Sequence, residues 1–353
     1  MRKENLLLLF GGESTEHEVS EMSAFNVIEA LNREKYNVIT VGITKEGKWY
    51  LYQGETEKIR DGSWVRSCEL KEAFLSPSKS QGGLVVLRGN GYETVHIDKC
   101  LPVLHGKNGE DGTIQGLLTL AGIPYVGSNV VSSAVCMDKV FAKMILERHG
   151  IPQTPYLYYT KDDFPEWETV VKHAEEKLGF PCFVKPVNAG SSVGASKAGD
   201  AKELRKSIEE AFLYDSKVMI EKYINCREIE VAVMGNQSVS CAGPGEIVSN
   251  NEFYDYDTKY VNCGGVSYHI PADISDKMTN EIRGYALKAY QVLDCKGLCR
   301  VDFFVDREDN QIYLNELNTL PGFTNISMYP KMWVSEGMPY DQIVEKLIEL
   351  ASL

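Results

Sequence analysis

The alternation of apolar and polar positions divides the chain into strand- and helix-length segments. Residues 5–12, "NLLLLFGG", place five consecutive apolar residues before a glycine pair. This predicts a strand buried on both faces that ends in a tight turn. An amphipathic run follows at "SEMSAFNVIEALNRE", then a second apolar strand at "YNVITVGIT". The β-α-β order predicts an α/β N-terminal domain with a Rossmann-like parallel sheet. That domain continues through "CLPVLHG" and "GLLTLAGIPYVG" to residue 127.

The periodicity then predicts one helix over "SSAVCMDKVFAKMILERHGIP", stopped by Gly150 and Pro152. Strands at "PCFVKP" and "SSVGASKA" flank a glycine-serine loop, and Asp200 opens the helix "DAKELRKSIEEAFLYD". "KVMIEKYI" and "EIEVAVMG" read as strands, with a boundary placed at residue 221 on the first of them. The third part holds a polar aromatic loop, "NNEFYDYDTKYV", a long helix near 276–293, two strands around "REDN" and a terminal helix from Asp341. The expected division is 1–127, 128–220 and 221–353.

The strands around "REDNQ" carry the first candidate chemistry. Side chains alternate along a strand, so Arg300 and Asp302 share a face, as do Glu316 and Asn318. A loop from Arg307 to Gln311 would set Asp302 opposite Glu316 and Arg300 opposite Asn318. Two carboxylates and an amide oxygen suit Mg²⁺ that also bridges phosphates. A buried arginine–carboxylate network uses the same residues, and the hairpin alone does not separate the two.

Further candidates lie along the chain. In "FVKPVNAGSSVGASK", Lys185 ends an apolar strand ahead of Gly190, Ser191 and Gly194, a loop able to lay N–H groups over phosphates. It is not a Walker A loop, because the lysine precedes the glycines. "VMIEKYINCREIEV" sets Glu221, Lys222 and Ile224 between two strands, where free backbone groups can read an adenine edge and Glu228 can hold a ribose; ordinary edge-strand charges are the competing reading. Glu16, His17 and Glu18 follow the first strand, at the end where α/β domains bind ligands, but without the GxGxxG of a dinucleotide site. His105 stands at another strand end, before an acidic glycine-rich loop whose Glu110 and Asp111 read equally well as a helix cap.

Composition narrows the classes. A net charge of −13 disfavours nucleic acid and anionic membrane surfaces as partners. No apolar run approaches the roughly 20 residues a membrane helix needs, so a cytoplasmic protein without a membrane partner is expected. Nine scattered cysteines, an odd number without a CxxC pair, read as reduced thiols.

Taken together, "EHEVS", "HGKNGEDGTIQG", "KPVNAGSSVG", "FYDYDTKY" and "NELNTLPGFT" resemble the D-alanine–D-alanine ligases of the ATP-grasp superfamily. The likeness runs in family order over roughly nine-tenths of the chain. It implies a three-domain ATP-grasp fold with ATP held between two antiparallel sheets. Glu16 then matches the acid that holds the ammonium of the first D-alanine, and His105 a histidine near that substrate. Ser191 and Tyr260 match a serine–tyrosine link to the lid, with Lys259 aimed at the γ-phosphate.

Lys139 and Lys185 match phosphate-contacting lysines, and Glu221, Lys222, Ile224 and Glu228 the adenine and ribose contacts. Asp302, Glu316 and Asn318 match the ligands of two Mg²⁺ ions, with Mn²⁺ as a substitute. Arg300 and the Gly322 N–H match the stabilisers of the oxyanion. Ser327 and Met328 fall in the second amino-acid subsite. Ordinary D-alanine ligases resemble this chain in having an apolar residue where Met328 stands, whereas several glycopeptide-resistance ligases, which make D-Ala–D-Ser or D-Ala–D-lactate, have arginine there. Met328 therefore favours D-alanine, and Tyr260 further disfavours the lactate type. The stretch "VGITKEGKWYLY" also resembles the D-serine type. The resemblance implies a homodimer and a place in cell-wall precursor synthesis. A non-catalytic grasp module would have no reason to keep Arg300, Asp302, Glu316 and Asn318 together.

Overall fold

The computed structural model describes residues 2–191, 193–249 and 266–353, arranged as three sheets with helices packed on them. The first sheet has the order β6-β5-β4-β3-β2-β1-β7. Its strands are β1 Glu4–Gly11, β2 Tyr36–Ile43, β3 Trp49–Tyr52, β4 Lys71–Leu75, β5 Gly83–Arg88, β6 Gly91–His96 and β7 Lys99–Leu104. β1 runs parallel to both β2 and β7, as the β-α-β pattern predicts, and β3 to β6 extend the sheet as an antiparallel meander. The apolar run of β1 is explained by burial on both sides. Leu6, Leu8 and Phe10 join one core, and Leu7 and Leu9 the other.

The second sheet is β10-β9-β11-β8, with β8 Tyr156–Thr160, β9 Cys182–Pro186, β10 Ser196–Ala198 and β11 Lys217–Lys222. The third is β14-β13-β12-β15-β16, with β12 Cys226–Gly235, β13 Val239–Ser249, β14 Val266–His269, β15 Leu298–Asp306 and β16 Ile312–Asn318. Both sheets are antiparallel throughout. β11 stays in the second sheet to Lys222, so the chain changes sheet between Lys222 and Cys226, slightly beyond the boundary set at 221.

The single helix expected from Ser132 is instead two, Val130–Met137 and Lys139–Arg148. Asp138 breaks it with extended backbone (φ −79°, ψ 95°) and caps the second helix by accepting from the N–H groups of Val140 and Phe141. An N-cap needs this non-helical conformation, and aspartate is among the residues that favour it. The break also aims Lys139, the first helical residue, into the cleft between the second and third sheets. Asp200 caps the helix Ala201–Ala211 as expected.

One core joins the first and third sheets. Leu6, Leu8 and Phe10 share it with Ala232, Met234, Tyr329, Trp333 and the terminal helix Tyr340–Glu349. On β12, Ile229, Val231 and Val233 face a separate core with Val301, Phe303 and the helix Asp276–Val292. Strand alternation therefore turns Glu228 and Glu230 to the opposite face, towards the cleft.

Candidate active site

Two adjoining cavities occupy the cleft. The larger, about 600 Å³, lies between the second and third sheets and is lined by Lys139, Lys185, Glu221, Lys222, Ile224, Glu228, Asp302 and Glu316. The smaller lies towards the first sheet and is lined by Glu16, His105, Ser191, Arg300, Asn318, Gly322, Ser327 and Met328. The described residues that the family resemblance assigns to the site thus all border one cavity or both, whereas His17, Glu18 and Asp111 border neither. Lys259 and Tyr260 lie outside the described residues.

The hairpin β15–β16 shows how the sequence makes its cleft face. Ile312 and Leu314 are core residues, so strict alternation would have carried Glu316 and Asn318 into the core with them. The register shifts once, with Val305↔Ile312 and Phe303↔Leu314 giving way to Asp302↔Glu316 and Arg300↔Asn318. Asn315 is the extra residue of this bulge. The expected opposition of Asp302 and Glu316 holds, but for a different reason. The strands pair from Val305 rather than from Asp306, and the bulge restores the offset. Asn315 Oδ1 accepts a hydrogen bond from Lys185 Nζ at 3.2 Å, across the cleft from the second sheet.

Arg300 grips Asp302 with two hydrogen bonds, Nε to Oδ1 at 2.8 Å and Nη2 to Oδ2 at 2.7 Å. Asn318 Nδ2 donates to the same Oδ2 at 2.9 Å, which fixes the amide with its nitrogen on Asp302. Asp302 and Glu316 supply carboxylate oxygens and Asn318 an amide oxygen, the hard donors a divalent cation such as Mg²⁺ prefers. Lys139 Nζ stands 3.5 Å from Glu316 Oε2 and donates to the Ala189 carbonyl at 2.8 Å. One lysine thus ties the glycine-serine loop to the carboxylate strand.

A buried triad supports the larger cavity. Glu221 Oε2 pairs with Lys185 Nζ at 2.6 Å, and Oε1 with Lys143 Nζ at 2.8 Å. Thr154 Oγ1 donates to Glu221 Oε1 at 2.6 Å. Burial alone would raise the Glu221 carboxyl, but the two ammonium groups hold it well below the usual range. Its side chain is fully engaged here, so any contact to an adenine edge at this position falls to the backbone. Lys143 was missed in the sequence, although it follows Lys139 by one helical turn and so shares its face.

In the smaller cavity Ser191 Oγ donates to Glu16 Oε1 at 2.5 Å. A Cβ on Gly190 would come within 2.9 Å of Glu16 Oε2, and one on Gly106 would meet both that oxygen and Ser14 Oγ at 2.9 Å. Gly106 also has φ +68°. Gly106→Ala is therefore expected to displace Glu16 against a backbone strain of about 1–2 kcal/mol. A fall in kcat/KM of about tenfold checks this.

His105 Nδ1 donates to the Leu320 carbonyl at 2.9 Å, which leaves Nε2 to accept from Ser23 Oγ at 3.2 Å. Burial pushes its pKa down, so the ring is neutral and clamps the Leu320 loop to the first domain. Glu110 accepts from the N–H groups of Gly106 and Leu320, so it holds this loop rather than capping the next helix. Asp111 receives the Thr113 N–H at that helix's start. His17 turns away from the cavities, to the Gly12 carbonyl and Glu21.

Two antiparallel sheets closing on lysines from one side and a carboxylate-rich strand face from the other define an enzyme of the ATP-grasp class. Residues 5–128 match the family model described as D-ala D-ala ligase N-terminus, and residues 145–349 that described as D-ala D-ala ligase C-terminus. The chain is 49% identical over 352 residues to a D-alanine–D-alanine ligase of Caldicellulosiruptor bescii, covering 99% of this chain and 96% of that protein. It is likewise 49% identical over 363 residues to one of Acetivibrio thermocellus, again covering 99% and 96%. Among solved structures, the VanG D-Ala:D-Ser ligase from Enterococcus faecalis superposes with a TM-score of 0.89 at 39% identity, covering 99% of both chains. The D-alanine–D-alanine ligase from Coxiella burnetii gives 0.85 at 34%, covering 99% of this chain and 94% of the other. The chain belongs to the D-alanine–D-alanine ligase family. Membership implies an ATP-dependent ligation that uses D-amino acids and a divalent metal. Among the described residues, no helix is long and apolar enough to cross a membrane.

Proposed function

We infer that this protein joins two D-alanines into D-alanyl-D-alanine with conversion of ATP to ADP and phosphate, for peptidoglycan precursor synthesis. The observation that carries this is the match of both ligase family models, together spanning residues 5–349 apart from 129–144.

In the proposed reaction Glu16, held by Ser191, receives the ammonium of the first D-alanine and leaves its carboxylate facing the nucleotide cavity. Lys139 and Lys185 offset charge on the phosphates, and the 221–228 stretch seats adenosine. The carboxylate oxygen attacks the γ-phosphorus and ADP leaves, giving an acyl phosphate. The amine of the second D-alanine then attacks its carbonyl carbon. Arg300 and the Gly322 N–H receive the oxyanion, and phosphate leaves. Asp302, Glu316 and Asn318 would hold two Mg²⁺ ions, replaceable by Mn²⁺, which supply charge neutralisation at the transferring phosphoryl group. Tyr260 and Lys259 would complete the site from the lid. The protein works in the cytoplasm as a homodimer.

Met328 decides the second substrate. It is buried, and its Cε lies 2.5 Å from where a Cβ on Gly245 would stand, so the side chain is seated against a glycine of β13. Phosphate release is measured with ATP, Mg²⁺ and D-alanine alone, then with D-serine or D-lactate added and products identified. D-alanine alone is expected to support turnover, and its failure to do so would remove the reading. A D-Ala–D-Ser product predominating would instead favour the activity named for the VanG neighbour. Met328→Arg is expected to lower D-alanine use at the second subsite by on the order of tenfold or more. An unchanged dipeptide rate would show that Met328 does not discriminate.

A further inference from the structure

Three carboxylates form a row across neighbouring strands. Glu230 on β12 is the register partner of Asp302 on β15, which is in turn the partner of Glu316 on β16. All three border the nucleotide cavity, and Glu230 and Glu316 border the amino-acid cavity as well. Arg300 lies among them. Its Nε donates to Asp302 Oδ1 at 2.8 Å while standing 3.1 Å from Glu230 Oε2.

This arrangement conflicts with the work assigned to its members. Arg300 covers both oxygens of Asp302, one of which also takes the Asn318 amide. A divalent cation arriving at those oxygens meets a guanidinium already on them, and the two like charges repel. Arg300, for its part, commits two of its five N–H groups to Asp302, which ties the direction of the guanidinium to that carboxylate. Leaving Asp302 would strand a buried cation unless another carboxylate took it up. Glu230 already stands at ion-pair distance, so the exchange needs only a small reorientation of Nε.

We propose that Glu230 is a positioning residue that takes Arg300 over from Asp302 when Asp302 turns to the metal. The inference rests on the proposed metal role of Asp302. Glu230 touches no reacting atom; it sets where Arg300 points and whether the Asp302 oxygens are available. The alternation in "CREIEV" could have revealed it, since Glu228 and Glu230 share a strand face.

The test is Mn²⁺ binding to the full chain with ADP present, followed by electron paramagnetic resonance and so independent of turnover, with melting curves to show that each variant folds. Glu230→Gln is expected to weaken Mn²⁺ binding roughly tenfold or more, as loss of a residue that orients a ligand does. Glu230→Asp keeps the charge but shortens the reach, and is expected to weaken binding comparably. In an Arg300→Met background, where no guanidinium competes, adding Glu230→Gln should change Mn²⁺ affinity by no more than about twofold. Wild-type affinity in Glu230→Asp would overturn the proposal, because charge alone would then suffice. So would an undiminished loss in the Arg300→Met background, or unchanged affinity in Glu230→Gln. Asp302→Asn separates the two levels: if it leaves Mn²⁺ binding intact, the metal role itself falls and the inference falls with it.

Discussion

Glu316→Ala should abolish turnover while leaving the fold intact. The side chain is a quarter exposed on the cleft face of β16 and belongs to no apolar core, so its loss opens no cavity. Glu316 opposes Asp302 across the hairpin and faces Lys139 at 3.5 Å, which places it between the proposed metal ligands and the lysine proposed to contact phosphate. A metal that polarises a phosphoryl group supplies several kcal/mol of charge stabilisation in the transition state. Losing a ligand that holds it therefore corresponds to about 10³-fold or more in rate. The measurement is phosphate release with D-alanine and ATP at saturating Mg²⁺, beside a thermal melt. Activity within a few-fold of wild type would refute the metal role, and a collapsed melt would instead reveal a structural one.

The cleft residues were legible because strand parity is a local property. Knowing that residues two apart share a face was enough to group Arg300 with Asp302 and Glu316 with Asn318. What parity cannot show is a bulge. Ile312, Leu314, Glu316 and Asn318 are all even-numbered, yet two face the core and two the cleft, and Asn315 resolves the conflict by taking no register partner on β15. The polar character of Asn315 and Glu316 side by side is the only local trace of it. The helix break at Asp138 was hidden in a similar way, since "SSAVCMDKVFAK" keeps its apolar period across the cap. The meander β3 to β6 gave no clear signal in strands as short as Trp49–Tyr52. Lys143 and Glu230 escaped for a third reason. A charged residue reads as solvated until a partner is found, and their partners lie on Glu221 and Arg300, remote in sequence.

Glu221→Ala should be among the most destabilising single changes in the chain. Glu221 is 3% exposed and compensates two buried ammonium groups, those of Lys143 and Lys185. Removing one member of such a cluster leaves uncompensated buried charge, an effect of about 3–5 kcal/mol. Chemical denaturation of the folded protein is expected to show a loss of that size, and a change below about 1 kcal/mol would mean that water or another acid reaches the lysines. The loss should be partly reversible by a second substitution. Lys143→Met in the Glu221→Ala background removes the more deeply buried ammonium at little change of volume, so stability should rise rather than fall further. The acid limb of the stability curve carries the same signature. A carboxylate held below its ordinary value of 4.5 contributes its full stabilisation above that pH and loses it only as the pH falls towards the depressed folded value. Wild type and Glu221→Ala should accordingly differ most near neutral pH and converge in strong acid. If the gap between them stayed constant down the acid limb, the carboxylate would not be acting through its charge.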